Sequence, residues 1–156
     1  MICISKVHHA EERTITAKTK TRKLENLLFI SNDDLDKAGL DLYEILNCAD
    51  LLITDYSSIY GDFLFMNKPI VFINADIEKY REERGISLEP YDFWTAGPKV
   101  KAQDVLETEI LKSLEEEDYY RQKREELRDV FYKYKDGNSS LRVWDYIDSV
   151  LDNINK

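Results

Sequence analysis

The sequence has few of the residues from which disulfide scaffolds and metal clusters are built. Its 156 residues include two cysteines, Cys3 and Cys48, and two adjacent histidines, His8 and His9. The lack of a Cys-x-x-Cys pair excludes a zinc ribbon. Two adjacent histidines do not favour a multi-histidine site, so we predict no metal and no other cofactor. Each cysteine lies in an apolar stretch, which predicts reduced, buried thiols of the kind found in cytosolic proteins.

Long apolar runs and excess basic charge are also missing. No apolar run approaches the roughly 18 residues of a membrane span. The N-terminus lacks the basic start and cleavage site of a signal peptide, so we expect a cytoplasmic protein that meets the membrane, if at all, at its inner face. The formal net charge of −9 argues against a general nucleic-acid binder, which needs a basic face.

Apolar residues are plentiful, at 43% of the chain, and many of them form short continuous runs. The runs cover residues 2–5, 27–30, 51–54 and 70–73. Continuous apolar runs are typical of strands buried on both faces of a parallel sheet. Residues 42–49 have helical spacing behind a capping box of Asp41 and Glu44, and residues 57–67 leave room for one crossover helix. This order predicts an α/β fold.

The C-terminal part is predicted to be helical. Apolar and aromatic residues recur with a period near 3.6 in residues 120–134 and again in residues 141–154. Between them, Gly137 is predicted to end the first helix, and Asn138 or Ser139 to cap the second. Residues 31–39 are predicted to form a polar loop.

The turn after the third apolar run is the segment most suggestive of chemistry. The strand ends at Thr54, and a polar turn leads into a helix. Ligands of open α/β sheets bind at the carboxyl ends of the strands, and unpaired N–H groups of a first helical turn attract anions. Ser57 and Ser58 add two hydroxyls, which suits a phosphate or pyrophosphate. The alternative is that Ser58 is only a helix cap and Ser57 a turn residue.

Two other features have a functional and a structural interpretation. Asp62 lies one helical turn beyond Ser58, where its carboxylate could accept hydrogen bonds from ribose or polyol hydroxyls, or simply face solvent. The aromatic stretch Tyr91–Trp94 could stack on a nucleobase. The favoured interpretation of that stretch is a loop that covers the core.

Several motifs in order resemble one family. Residues 50–58, Asp62-Phe63 and residues 67–70 resemble the signature of the CDP-glycerol glycerophosphotransferase family, which makes teichoic acid polymers. Further pieces resemble the family in the same order: residues 4–8, 41–46, 76–85, 97–98 and 136–142. The resemblance covers nearly the whole chain.

The resemblance implies a GT-B enzyme, with two Rossmann-like domains facing a cleft, that moves glycerol phosphate from CDP-glycerol onto a lipid-linked or polymeric acceptor. This chain would be the C-terminal, donor-binding half: a partial Rossmann-like domain of about four parallel strands, flanked by helices, with a helical C-terminus. The resemblance assigns the donor phosphates to Thr54, Ser57 and Ser58, and the donor's hydroxyls to Asp62. A second part of the pocket would come from Ser139, Ser140 and Arg142.

His8 is the catalytic residue that the resemblance implies. It follows the carboxyl end of a predicted strand, where it could stabilise charge on the pyrophosphate or carry a proton. The alternative is a histidine satisfied by hydrogen bonds in a loop. The sequence departs from the family here, because His9 replaces an expected proline that would restrict His8.

The family enzymes are much longer than this chain. Residues 1–156 are therefore predicted to form one truncated, nucleotide-binding domain that lacks the acceptor-binding domain. A second polypeptide could supply the missing half, and the isolated chain is expected to show little or no turnover. Two alternatives stay open: a related GT-B transferase using CDP-ribitol or a nucleotide sugar, and a non-catalytic nucleotide-binding fragment.

Overall fold

The computed structural model describes residues 1–6, 25–115 and 118–154. The chain divides into two compact units, residues 1–49 and 50–156. The described strands form two parallel sheets, one of two strands and one of three. The predicted α/β class with parallel strands and a helical C-terminus is confirmed. No helix in the described ranges is long and apolar enough to cross a membrane.

The first unit contains a two-stranded sheet. Strand β1 (Cys3–Lys6) pairs in parallel with β2 (Leu27–Ile30), with Cys3 opposite Leu27. Both strands were predicted, β1 one residue earlier. The expected burial on both faces is wrong for this sheet, because Ile4 is 47% exposed and Leu28 is 52% exposed. The prediction of buried thiols is also wrong, because Cys3 and Cys48 are exposed.

The polar segment after β2 is a helix, not the predicted loop. Helix α1 spans Asn32–Ala38. The Ser31 hydroxyl accepts from the Asp34 amide at 3.2 Å, and the Asp34 carboxylate accepts from the Ser31 amide at 2.9 Å. Gly39 ends the helix at φ 65°, a conformation that glycine adopts without strain. Leu35 is the buried residue of α1, and a single apolar residue produces no periodic pattern.

The second helix of this unit was predicted correctly. Helix α2 spans Leu42–Cys48. Its capping box is formed by Asp41, which accepts from the Tyr43 amide at 2.7 Å, and by Glu44, which accepts from the Asp41 amide at 2.7 Å. These bonds satisfy N–H groups that the first turn leaves unpaired.

The second unit contains a three-stranded parallel sheet in the order β3 (Leu52–Thr54), β4 (Ile70–Ile73) and β5 (Lys99–Val100). The central strand β4 is buried along most of its length, as its continuous apolar run predicted. The two-residue strand β5 was not predicted, because it is too short to give a pattern. The carboxyl ends of β3 and β4 lie side by side, with Thr54 opposite Phe72.

The helices of this unit follow its strands along the chain. Helix α3 (Ile59–Phe63) continues into a 3-10 turn (Leu64–Met66), and both lie between β3 and β4, where one crossover helix was predicted. The remaining helices are α4 (Ile77–Glu83), α5 (Tyr91–Trp94), α6 (Gln103–Glu115), α7 (Arg121–Phe131) and α8 (Ser139–Ile154). The aromatic stretch Tyr91–Trp94 is therefore helical.

The connection between α7 and α8 differs in detail from its prediction. Helix α7 ends at Phe131, so Gly137 does not terminate it. Gly137 has φ 73° and lies in the bend that precedes α8. The carbonyl of Asn138 accepts from the Arg142 amide at 3.1 Å, as expected of the residue that precedes a helix at Ser139.

A buried arginine fixes the turn that leads into β4. Arg124 of α7 is 1% exposed. Its guanidinium pairs with the Asp118 carboxylate through both terminal nitrogens and also donates to the Asn67 carbonyl at 3.1 Å. Asn67 has φ 49°, a conformation that asparagine tolerates better than most residues. The bond from Arg124 therefore holds the end of the crossover where it enters the sheet.

The approach of the β5 segment to β4 leaves no room for a side chain at Gly97, and this yields a stability prediction. A Cβ at Gly97 would lie 2.0 Å from the Ile70 carbonyl oxygen, which is backbone. We expect Gly97→Ala to lower the free energy of unfolding by about 1–3 kcal/mol, as overpacking does. Urea unfolding followed by circular dichroism measures it.

Gly61→Ala is the matched control. A Cβ at Gly61, inside helix α3, would meet only the Tyr132 hydroxyl at an ordinary 3.7 Å. Alanine also favours a helix over glycine by roughly 0.5–1 kcal/mol. Equal stability of the two variants would contradict the close approach at Gly97.

Candidate functional site

A cleft of about 210 Å³ opens beside the start of α3, in the second unit. It lies where the carboxyl end of β3 passes into α3, the position at which open α/β sheets bind ligands. Its lining comes from the turn after β3, from α3, from α4 and the segment after it, and from α5 and α7. The lining residues are Asp55, Tyr56, Ser58, Tyr60, Gly61, Tyr80, Gly85, Ile86, Ser87, Leu88, Tyr91, Trp94, Thr95 and Phe131.

The turn between β3 and α3 is partly closed by its own side chains. The Asp55 carboxylate accepts from the Ser57 amide at 3.0 Å, and the Ser57 hydroxyl accepts from the Ile59 amide at 3.5 Å. The first-turn amides are therefore less open to a ligand than the sequence predicted. The N-terminal position of α3 is Ser58, whose hydroxyl makes no capping bond. Ser58 is exposed and lines the cleft, so the residue is accessible to a ligand there.

Aromatic rings make up much of the cleft wall. Tyr56 and Tyr80 are stacked, with ring centroids 4.0 Å apart and planes at 25°. Trp94 lies edge-on to Phe131 at 5.5 Å. These rings come from four separate segments of the sequence, and only Trp94 belongs to the aromatic stretch that the sequence suggested as a base-stacking candidate. Four short segments far apart in the chain carry no common spacing that would have shown the cluster.

Tyr91 places a buried hydroxyl at the cleft. The residue is 8% exposed, and its hydroxyl has no hydrogen-bond partner within the described ranges. Burial is the main cause that raises the pKa of Tyr91 to about 12, and the nearby Tyr60, Asp55 and Asp92 raise it further. The phenol therefore stays neutral at physiological pH and keeps its proton to donate.

The charge of the cleft wall is low. Among the described residues that line it, Asp55 is the one with a charged side chain. Hydroxyl groups from Ser58, Ser87 and Thr95 accompany the aromatic rings. A wall of rings and hydroxyls suits an uncharged planar group that carries hydroxyls of its own. In the described ranges, no cluster of three or more histidine, cysteine or acidic side chains could hold a metal ion.

Three further residues predicted to bind the donor lie close to Ser58 in the sequence but outside the lining of the cleft. Thr54 is the buried last residue of β3, Ser57 lies in the turn, and Asp62 lies on the exposed side of α3. Each adjoins Ser58 within four positions of the chain. His8 lies outside the described residues, so its predicted role is still a prediction.

The predicted second part of the pocket lies at the start of α8. Ser139 and Ser140 begin this helix and are exposed. The Arg142 guanidinium pairs with both carboxylate oxygens of Asp136, one pair at 3.0 Å, and lies 3.9 Å over the Tyr134 ring. The bonds from Arg142 hold the pKa of Asp136 well below its usual range. The Asp136 carboxylate thus occupies N–H groups of Arg142 that a donor phosphate would need.

Comparison with known proteins identifies the relationship. Residues 1–149 match the CDP-Glycerol:Poly(glycerophosphate) glycerophosphotransferase family. The chain belongs to this family. Over 103 residues it is 36% identical to the teichoic acid ribitol-phosphate polymerase TarL of Staphylococcus aureus, covering 66% of this chain and 17% of TarL. Over 116 residues it is 32% identical to the teichoic acid glycerol-phosphate primase of Bacillus subtilis, covering 74% of this chain and 29% of the primase.

Solved structures show the same fold. The wall teichoic acid polymerase TagF, in a crystal soaked with CDPG, superposes with a TM-score of 0.72 at 23% identity. The match covers 99% of this chain and 36% of TagF. The chain thus spans less than a third of the length of the two curated relatives and just over a third of TagF. The GT-B-like fold implied by the resemblance is confirmed by this superposition.

The unpartnered Tyr91 hydroxyl leads to a prediction for stability. Tyr91→Phe removes a buried polar group that has no partner, so the free energy of unfolding should not fall and can rise. Thr95→Val is the control, because the buried Thr95 hydroxyl donates to the Tyr91 carbonyl at 2.7 Å. We expect the control to lose about 1 kcal/mol in urea unfolding. A larger loss for Tyr91→Phe than for Thr95→Val would contradict this account.

The raised pKa of Tyr91 predicts a pH dependence with a defined sign. The folded-state pKa of Tyr91, about 12, exceeds the unfolded value near 10. The stability that arises from this difference is fully present below pH 10 and is lost as the pH rises toward 12. Between pH 9 and 11, the wild-type protein should lose roughly 1 kcal/mol relative to Tyr91→Phe. Parallel stability curves over that range would contradict the shift.

Proposed function

We propose that this chain is the donor-binding half of a transferase that moves glycerol phosphate from CDP-glycerol to a teichoic acid or related polymer acceptor. Membership of the family supports the reaction class. The observation that carries the proposal is the aromatic cleft that opens at the Ser58 turn, at the carboxyl end of β3. This is where an open α/β sheet presents its ligand-binding groups.

On this proposal, different surfaces of the site bind the nucleoside and the diphosphate of the donor. The aromatic rings and hydroxyls of the wall take the uncharged nucleoside, because a nucleobase stacks on aromatic side chains. The diphosphate lies against Ser57 and Ser58 in the turn, because the lining of the described cleft contains no lysine or arginine that would bind it elsewhere. Thr54 supports the phosphate contacts from the strand end, and Asp62 accepts from the donor's sugar or glycerol hydroxyls.

The transfer itself is a substitution at phosphorus. An acceptor hydroxyl oxygen forms a bond to the phosphorus of the glycerol phosphate group, and the bond from that phosphorus to the bridging oxygen breaks. CMP leaves with the electron pair, and the hydroxyl proton is removed by a base. We assign to His8 either the removal of this proton or the stabilisation of the negative charge on the departing CMP. Ser139, Ser140 and Arg142 form the second part of the pocket, once a phosphate displaces Asp136 from Arg142.

The acceptor has to be held by residues other than those described. The proposal assigns acceptor binding to additional residues of the same protein or to a second polypeptide, because the relatives are several times longer than this chain. It also places the protein at the inner face of the membrane, where a lipid-linked acceptor would be met. CDP-ribitol is the alternative donor, which the similarity to a ribitol-phosphate polymerase favours.

The proposal predicts that the 156-residue chain binds CDP-glycerol, and that Ser58→Ala weakens this binding about fivefold to tenfold, the value of a lost hydrogen bond. The change should cost little stability, because the Ser58 hydroxyl makes no capping bond. Ser149→Ala, on α8, is the control. Isothermal titration calorimetry with CDP-glycerol, CDP-ribitol and a UDP-sugar measures the affinities and ranks the donors.

Two results would change the proposal. If the wild-type chain binds none of these donors, or if Ser58→Ala binds CDP-glycerol as tightly as Ser149→Ala, the donor site is wrong. Binding of CDP-glycerol with little or no release of CMP, in the presence of a polymeric glycerol-phosphate acceptor, is expected of a donor-binding half. Release of CMP at a steady rate by the 156-residue chain would contradict the assignment of acceptor binding to other residues.

A further inference from the structure

Tyr56 lies in the turn that carries Ser57 and Ser58, and it is tied to the next strand-to-helix connection. We propose that Tyr56 is a positioning residue that, together with Asp76, holds this turn in the shape that binds the donor diphosphate. This inference rests on the proposed function. Neither residue contacts the diphosphate itself on this account. Their role is to hold the backbone that presents the two serines.

The first tie is a hydrogen bond across the carboxyl edge of the sheet. The Tyr56 hydroxyl donates to Asp76 Oδ1 at 2.8 Å. Tyr56 follows β3 by two residues, and Asp76 immediately precedes α4, which follows β4. Because β3 and β4 are parallel neighbours, their carboxyl ends lie at the same edge. The bond therefore links two adjacent connections at the edge where the cleft opens.

The use of Asp76 is unusual for its position in the fold. Aspartate at the N-terminal position of a helix commonly accepts from the amides of its own first turn. Asp76 occupies that position on α4 but makes no such capping bond. Its carboxylate instead accepts a hydrogen bond from the Tyr56 hydroxyl. The Asp76 carboxylate, which could cap α4, is thus hydrogen-bonded to the turn after β3.

The second tie is a ring contact with the same helix. Tyr80 lies one helical turn beyond Asp76 and stacks on the Tyr56 ring at 4.0 Å. Residues four apart on a helix share a face, so Asp76 and Tyr80 hold the hydroxyl and the ring of one side chain. On the other side of the turn, the Asp55 carboxylate accepts from the Ser57 amide at 3.0 Å. The segment before Ser58 is therefore held from both sides.

This arrangement has a direct consequence for affinity. If the hydrogen bond to Asp76 is removed, the turn can adopt other conformations. Only the fraction of molecules with the correct conformation then binds the donor. The apparent dissociation constant rises by the inverse of that fraction. The alternative is that the Tyr56 ring only forms part of the cleft wall and does not stabilise the turn. Tyr56→Phe separates the two, because it keeps the ring and its stacking and removes only the hydroxyl.

The test is a double-mutant cycle on the full chain with two ligands. Dissociation constants for CDP-glycerol and for cytidine are measured on the wild type, Tyr56→Phe, Asp76→Ala and the double variant. We expect each single variant to bind CDP-glycerol about tenfold more weakly. The double variant should also be about tenfold weaker, not a hundredfold, because both changes cut the same bond. Cytidine, which has no phosphate, should bind all four proteins within about twofold.

The control is Tyr146→Phe, which removes a hydroxyl from an exposed tyrosine of α8. It should bind both ligands as the wild type does. Wild-type affinity of Tyr56→Phe for CDP-glycerol would overturn the inference. So would an equal loss for cytidine, which would mark Tyr56 as a plain wall of the cleft, or losses that add in the double variant.

A ligand-free measurement keeps the inference separate from the proposed function. Failure of the wild type to bind either ligand would make the proposed function wrong. The tie is then judged by hydrogen exchange of the Ser57 amide. We expect this amide to exchange at least several-fold faster in Tyr56→Phe than in Tyr146→Phe, because the turn opens more often. Equal exchange rates would overturn the inference whatever the ligand result.

Discussion

The candidate site depends on the parallel pairing of β3 with β4. This pairing sets Thr54 opposite Phe72 and so brings the two connections that follow these strands to one edge of the sheet. Each connection is a short segment of the chain. Side by side, they exchange a hydrogen bond between Tyr56 and Asp76 and enclose a cleft between α3, α4 and α5. The sheet is held in turn by the buried residues of β4 and by the close approach of Gly97 to Ile70.

The composition of the cleft determines which part of the donor each of its surfaces can bind. Aromatic rings and hydroxyls form the wall, and among the described lining residues Asp55 carries the one charged side chain. Such a surface stabilises an uncharged planar ligand but offers little to a diphosphate. The proposed phosphate-binding groups are therefore Ser57 and Ser58 in the turn after β3. The remaining compensation for the diphosphate charge would come from residues such as His8, or from Arg142 after its release from Asp136.

The sequence predicted the elements that have a long or regular pattern. The apolar runs of β1 to β4, the capping box of α2 and the periodicity of α7 and α8 all lead to the correct element within a few residues. It missed α1, α4 and α5, each of which has one buried residue, and α6, which has none. It also missed β5, which has two residues. The turn after β3 was identified because its position relative to a strand is informative. The ring cluster was not, since Tyr56, Tyr80 and Phe131 come together only through the tertiary fold.

The central claim is that a nucleoside diphosphate binds at the turn between β3 and α3. The most direct test is to titrate CDP-glycerol into the isotopically labelled chain and follow its backbone amide resonances. The account predicts that the largest shift changes fall on residues 55–61 and on the segment from Gly85 to Leu88 across the cleft. Changes confined to other parts of the chain, or none at saturating ligand, would contradict it.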